Sequence, residues 1–380
     1  MAEYGVVLVS GGMTHQENYG PGFAADPRSH VVAMADDPDI DERRQRLNQR
    51  LADEMSVPYI RNLDEALGRS DVHVASVCSE FERRSQVAAR CAEAGKHVYL
   101  DKPMATTREG AQSVVDAVKG AGVRSQMFTQ VGQPYAQRAR RIIDSGKLGE
   151  LQAIHCDLMF AKGHTGTADL TKPRQEHYPP RRFTFPDAKR EIWTTAVYSL
   201  ALIRWLTRKR FTSVFATTAN YFFEEHQGHD IEDFGALLLT LEGGLTATVT
   251  AARIGWRSHR SSGPNLTRLY GTQGSAMIDG HAPKFVIASD TDVWATPIRD
   301  PQDPMGFWRS TVARARIPAK PGWQEPALTE PISDQAMFLD AIEQDSEAEV
   351  TAADGAAATD ALLGAYESAA TGQVVQLAGA

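Results

Sequence analysis

Over its first 130 residues the chain alternates short, unbroken apolar runs with stretches of helical period, and this alternation limits the folds open to it. The runs are Val6-Val-Leu-Val9, Val31-Val-Ala-Met34, Val72 to Val77 and His97-Val-Tyr-Leu100. Between them Leu47, Leu51 and Met55 recur at i, i+4 and i+8, one stripe of a helix. Val87, Cys91 and Ala94 mark a second helix, with Gly95 as the left-handed residue that ends it. Val114, Val115 and Val118 form the inward face of a third. Strands that are apolar throughout are buried on both faces, so the spacing predicts a parallel sheet with helices on either side. Right-handed crossovers make it doubly wound, and such sheets bind ligands beyond the carboxyl ends of their strands. The residues closing each strand are Ser10-Gly11-Gly12, Asp36, Cys78-Ser79-Glu80 and Asp101-Lys102-Pro103.

From about Leu151 the pattern changes. Leu245, Ala247, Val249 and Ala251 alternate with three threonines, the period of a half-buried antiparallel strand, and Glu242-Gly243-Gly244 reads as the hairpin joining it to Phe234–Leu241. Strands are expected again around 267–270, 275–278 and 284–287, and a helix over 193–206. The second region is thus α+β, on a large, open, mainly antiparallel sheet. A chain of 380 residues exceeds the roughly 250–300 at which one core stops growing. The division expected is a first domain over 1–128 and a second over 129–380. Thr351-x-x-Asp354 resembles a capping box opening a last helix, about 351–371, ended by Gly372 and able to pack back near the first domain. The proline-rich segment 289–332 reads as a loop or covering arm.

Composition removes several classes. A net charge of −8 argues against nucleic acid, and 23% charged residues against wholesale disorder. No apolar run approaches the roughly 20 residues that span a bilayer, so no membrane partner is expected. The start lacks a basic region before its apolar stretch and reads as a first strand, which makes the expected location cytoplasmic. Cys78, Cys91 and Cys156 are too scattered for a disulfide framework or a zinc spacing and read as reduced, buried thiols. His226-Gln-Gly-His229-Asp230 is read as a solvated polar loop, so no metal is expected.

At the strand ends, Gly11-Gly12 would let backbone N–H groups approach a pyrophosphate at a helix N-terminus, although the third glycine of G-x-G-x-x-G is missing. Asp36 stands close to the spacing of about 20 residues at which a carboxylate meets a ribose 2′-hydroxyl. It would repel a 2′-phosphate, and neither Asp37 nor Pro38 offers an arginine, so NAD is favoured over NADP.

The most specific stretch is Ala94-Gly-Lys-His-Val-Tyr-Leu-Asp-Lys-Pro-Met-Ala105. It resembles the A-G-K-H-V…E-K-P hallmark of the Gfo/Idh/MocA family (glucose–fructose oxidoreductase, inositol dehydrogenase, rhizopine catabolism), with Asp for Glu. The resemblance extends to Ser145-Gly-Lys-Leu-Gly-Glu150, Tyr270-Gly-Thr-Gln-Gly-Ser275 and the C-terminal Ala369-Ala-Thr-Gly-Gln-Val-Val-Gln-Leu377. It implies a Rossmann domain, then a mainly β substrate domain whose open sheet makes a homo-oligomer, dimer or tetramer. It also implies that Lys102 sits between nicotinamide and substrate. Gly11, Gly12, Asp36, Cys78, Ser79, Asp101, Lys102 and Gln130 are then the candidate cofactor-binding residues.

Departures from the family bear on function. Its D-x-G-x-H-x-x-D helix, aligned on Trp205-Leu206, has become Thr194, Ala196, Tyr198 and Ala201, so the usual carboxylate and histidine base are absent. Its T-P-N-x-x-H has become Ser79-Glu-Phe-Glu-Arg-Arg84, and its asparagine near 130 is Gln130. Lys102 and Tyr198 are the candidate catalytic pair. The ammonium would polarise the substrate oxygen and lower the pKa of the phenol, ordinarily about 10, which would exchange the proton. His164, His177, Thr194 and Thr195 are candidates for holding a small sugar or polyol. Arg181-Arg182 either meets a substrate anion or lies on the surface. The function implied is an NAD-dependent oxidoreductase acting on a CH–OH group of a sugar, cyclitol or polyol. The alternatives are a redox-neutral NAD-dependent glycosidase or lyase, and a non-catalytic relative that binds NAD or sugar.

Overall fold

A computed structural model describes residues 3–10, 15–185, 187–259, 262–281, 284–289 and 332–378. Gly11, Gly12 and nearly all of the expected covering segment 289–332 lie outside these residues. The first sheet is built from β1 (Tyr4–Val9), β2 (Ser29–Ala35), β3 (Tyr59–Ile60), β4 (Val74–Val77), β5 (His97–Leu100) and β6 (Ser125–Met127). Their order is β3-β2-β1-β4-β5-β6, parallel throughout. Helices α1 (Gln16–Ala24), α2 (Glu42–Met55), α3 (Leu63–Leu67), α4 (Phe81–Glu93) and α5 (Arg108–Ala121) make the crossovers.

All four residues of β4 are buried, which only a strand covered on both faces allows. Its one polar side chain is satisfied: Ser76 Oγ donates to Gln16 Oε1 at 2.8 Å, and Gln16 Nε2 returns a bond to the Ser76 carbonyl at 2.8 Å. This exchange fixes the start of α1 over the sheet. The left-handed conformation expected at Gly95 is present, with φ +74°.

After α6 (Pro134–Asp144) come β7 (Leu151–Ala161), a π-helical turn (Ile192–Ala196) running into α7 (Val197–Thr207), β8 (Phe211–Ala219), α8 (Glu224–Gly228), β9 (Phe234–Leu241), β10 (Thr246–Ile254), β11 (Asn265–Gly271), β12 (Gly274–Asp279) and β13 (Lys284–Ser289). Then follow α9 (Asp334–Glu343), α10 (Ala352–Thr371) and β14 (Val375–Gln376). Among the described residues the second sheet has eight strands, ordered β13-β12-β11-β7-β10-β9-β8-β14, antiparallel except where β10 meets β7. One face is covered by the π-helical turn, α7 and α10. Gly235 on β9 lets that turn settle onto the sheet, since a Cβ there would fall 1.9 Å from Ile192 Cδ1. The other face carries Phe215, Leu238 and Tyr270, between 41% and 48% exposed.

The capping box expected at Thr351 is formed, its hydroxyl taking the Asp354 N–H while the Asp354 carboxylate takes the Thr351 N–H. Helix α10 packs between α5 and β8, and the Ala352 N–H donates to Ser125 Oγ at 3.0 Å, joining the chain end to the first sheet. The predicted polar loop at His226 is instead helix α8, with His226 buried against Glu191. Charge spacing alone does not reveal that a buried carboxylate waits across the fold.

Candidate active site

Where β5 ends, the chain turns through Asp101-Lys102-Pro103, with a cis bond before the proline. Arg84, on α4 and fully buried, holds the turn in place. Its Nε donates to the Ser79 carbonyl at 2.9 Å, Nη1 to the Pro103 carbonyl at 2.8 Å and Nη2 to Asp101 Oδ2 at 3.0 Å. Tyr19 donates to Asp101 Oδ1 at 3.0 Å, and His15 Nδ1 lies 2.8 Å from the same oxygen. Burial pushes the Asp101 carboxyl up, but Arg84, His15 and Lys102 override it and keep the group well below the ordinary carboxylate range.

Lys102 is not among the hydrogen-bond partners of this carboxylate. Lys102 Nζ donates instead to the Thr194 carbonyl at 2.5 Å and lies 4.2 Å from the centre of the Tyr198 ring. Burial lowers its pKa to about 7; Asp101 opposes that fall, and Lys189 and Arg84 add to it. The structure therefore brings Lys102 and Tyr198 together, ammonium over ring face. One expectation is overturned. Burial raises the Tyr198 phenol well above its ordinary value, and Asp101 and Asp334 raise it further. Burial thus keeps the Tyr198 phenol protonated and moves Lys102 toward neutral pH.

These groups line a cavity of about 310 Å³ with His15, Phe81, Phe160, Lys189, Thr194, Thr195 and Arg253. Phe81, Lys189 and Arg253 also line an adjoining cleft of about 690 Å³, which runs past Arg44 and Glu80 on one side and Lys162 and Arg182 on the other. Thr194 and Thr195 are where the sequence reading put them. His164 and His177 are not: both are exposed and line neither cavity, because His164 hydrogen-bonds the Thr165 carbonyl and His177 turns toward Asp230. Cys78 is a core thiol donating to Gln16 Oε1 at 3.3 Å. Gln130 accepts from Asn265 Nδ2 at 3.0 Å, a tie to β11, and lines neither cavity.

At the end of β2, Asp36 departs from expectation. It is fully buried, and both its oxygens are taken. Arg83 Nη2 (2.6 Å) and the Asp37 N–H (2.9 Å) donate to Oδ1; Ser10 Oγ (2.8 Å) and Asn48 Nδ2 (2.8 Å) donate to Oδ2. The arginine missing from positions 37 and 38 arrives from α4, so the carboxylate neither stands open to a ribose nor keeps an uncompensated charge. The end of β4 fits a dinucleotide. Ser79 Oγ, just beyond β4, is buried with no hydrogen-bond partner among the described residues, and the cleft beside it is rich in cationic donors.

Sequence reasoning missed His15, Arg84, Lys189, Glu191 and Arg253. His15 carried a signal, since it stands in the turn where the third glycine was sought, and so did the Arg83-Arg84 pair just beyond a strand end. The other three have none, because their places in the site depend on how the second sheet docks. Among the described residues no group of three His, Cys, Asp or Glu side chains is arranged to hold a metal, and no helix is long and apolar enough to cross a membrane.

Comparison with known proteins gives the arrangement its context. Residues 4–129 match the model of the oxidoreductase family with an NAD-binding Rossmann fold, and residues 136–277 match the GFO/IDH/MocA C-terminal domain. An inositol 2-dehydrogenase of Pseudomonas savastanoi pv. phaseolicola is 30% identical over 149 residues, 38% of each chain. The inositol 2-dehydrogenase 2 of Saccharopolyspora erythraea is 28% identical over 185 residues, 47% of this chain and 48% of that protein. The matched region thus spans less than half the length of either relative. In fold, the chain is similar to levoglucosan dehydrogenase in complex with NADH and L-sorbose, with a TM-score of 0.77 over the whole of both chains at 18% identity. It is similar also to an oxidoreductase domain protein of Kribbella flavida, with a TM-score of 0.76 over 99% of this chain and all of that one, at 18% identity. With both family models matched in order and the doubly wound sheet followed by the open one, the chain belongs to the Gfo/Idh/MocA family of oxidoreductases and carries its NAD-binding Rossmann domain.

Proposed function

We propose that this protein is an NAD-dependent dehydrogenase interconverting a carbinol and a ketone on a sugar, cyclitol or related polyol. The observation that carries the reading is the buried amine of Lys102, its pKa brought down to about 7, in a cavity that also holds two threonines and a tyrosine. The inositol and levoglucosan dehydrogenases among its relatives support the same substrate class.

When bound, the nicotinamide supplies the hydride acceptor or donor. The cofactor would be held at Ser79 and beyond the carboxyl ends of the first sheet's strands, with Lys102 beside the reacting end. In oxidation the neutral amine of Lys102 accepts the carbinol proton; in reduction its ammonium returns it. Thr194 and Thr195 hold neighbouring hydroxyls, and the Tyr198 ring supports the ammonium while its undissociated hydroxyl donates a hydrogen bond. Asp101, held ionised by Arg84, fixes the turn on which Lys102 sits.

We further place the protein in the cytoplasm, in keeping with its three free, buried cysteines. The open face of the second sheet, which carries Phe215, Leu238 and Tyr270, is proposed as the surface on which copies associate, so light scattering should give a mass at least twice 41.6 kDa. The decisive assay mixes protein, NAD and a panel of polyols and follows NADH absorbance. No turnover across the panel, despite NAD binding, would reject the reading.

A further inference from the structure

The charges at the reacting end of the cleft do not balance. The two carboxylates that act on Lys189, Asp101 and Glu191, each already have a cation. Asp101 is met by Arg84 at 3.0 Å. Glu191 is met by Arg253 Nε at 3.1 Å and Nη2 at 3.4 Å, and by His226 Nε2 at 3.3 Å. Two amines remain. Lys102 Nζ donates to a backbone carbonyl, and among the described residues the Lys189 ammonium makes no hydrogen bond or ion pair. Lys189 follows the loop before the π-helical turn and lines both the small cavity and the adjoining cleft, as does Arg253, whose Nη1 has no acceptor among the described residues. A neutral polyol would leave this surplus uncompensated. An anionic substituent would take a charge-assisted bond from Lys189 and relieve its repulsion from Lys102 and Arg253.

We propose that Lys189, with Arg253 beside it, forms an anion subsite, so that the substrate is an acidic sugar or polyol carrying a carboxylate or a phosphate. The inference rests on the dehydrogenase reading and narrows its substrate class. The dinucleotide's own diphosphate is expected at the turn that follows the first strand of a Rossmann sheet.

The test titrates NADH-loaded protein calorimetrically with D-glucose, D-galactose and myo-inositol, and with D-glucuronate, D-galacturonate, D-glucose 6-phosphate and myo-inositol 1-phosphate. At least one acidic probe should bind about 10- to 100-fold tighter than its neutral parent, the range a charged hydrogen bond supplies, with the margin shrinking as salt rises. Whether the uronates or the phosphates show it identifies the anion. Lys189→Met should cut the margin to below threefold, and Lys189→Arg should keep most of it. Four results overturn the proposal: no acidic probe binds; acidic and neutral probes bind alike; the margin survives Lys189→Met; or Lys189→Met weakens NADH by the same factor. Turnover separates the two claims. Acidic probes that bind through Lys189 while no polyol reduces NAD would uphold the subsite and remove the dehydrogenase. Neutral polyols oxidised as efficiently as their acids would do the reverse.

Discussion

The two ends of the cleft hold similar side chains in opposite states. Near β2, Asp36, Asp37 and Glu80 are matched by Arg83 at 2.6 Å, Arg90 at 2.9 Å and Arg44 at 2.6 Å, and Asp36 has no oxygen left to offer. Near β5, the carboxylates are matched just as closely, but the amines of Lys102 and Lys189 are left over. A balanced cluster is complete without a ligand and serves the fold. A surplus of buried or half-buried cations is stable only because the surrounding structure enforces it, and such groups, with their displaced pKa values, are where reactivity concentrates.

The contrast can be broken most sharply at Lys102. Lys102→Met should lower turnover by about 10³-fold, within the range for loss of a proton-exchanging group, while NADH affinity by fluorescence titration moves less than about threefold. A variant that keeps a tenth of its rate would end the assignment. At Arg84, removing a buried guanidinium strands the charge of Asp101, so Arg84→Met should cost about 3–5 kcal/mol in urea unfolding. A loss below about 1 kcal/mol would mean that His15 and Tyr19 suffice. Tyr198→Phe should keep the reaction with a loss of about 10- to 30-fold, a smaller effect than removal of the proton-exchanging amine. A loss equal to that of Lys102→Met would return the proton to the phenol.

The balanced end yields the smallest effect. Arg83→Met frees Oδ1 of Asp36 for a ribose hydroxyl and restores its uncompensated charge. NAD should then bind a few-fold tighter and NADP weaker, by calorimetry; the opposite pair of changes would show that Arg83 itself holds the cofactor. The sign of the pH dependence follows from Lys102. Oxidation needs the neutral amine, so its rate should fall as pH drops through about 7, and reduction, which needs the ammonium, should fall as pH rises through it. Tyr198→Phe should leave that inflection in place.

The elements that position the site were legible because they rest on local patterns. Apolar strands announced a sheet covered on both faces, the threonine alternation of β10 announced a half-buried strand, and Thr351 with Asp354 announced a cap that formed. Proximity of Lys102 and Tyr198 followed from the family resemblance. What stayed hidden depends on partners far apart in the chain. Arg83 reaches Asp36 from a helix far along the chain, His226 is buried by Glu191, and Lys189 and Arg253, from distant parts of the chain, line one cavity. Periodicity tells which face of an element is buried but not what it is buried against, and for ionisable groups that neighbour decides the chemistry. Hence Tyr198 lies beside Lys102, yet its phenol shifts up where the sequence reading expects it to fall.

The direct test is the ionisation of Lys102 itself. In protein labelled with ¹³C at the lysine ε-carbons, with Lys102→Arg assigning the resonance, one signal should titrate near pH 7, well apart from the surface lysines at about 10.4. A Lys102 signal that titrates with the surface group would show an ordinary ammonium, unable to accept the carbinol proton at neutral pH, and would contradict the mechanism at its root.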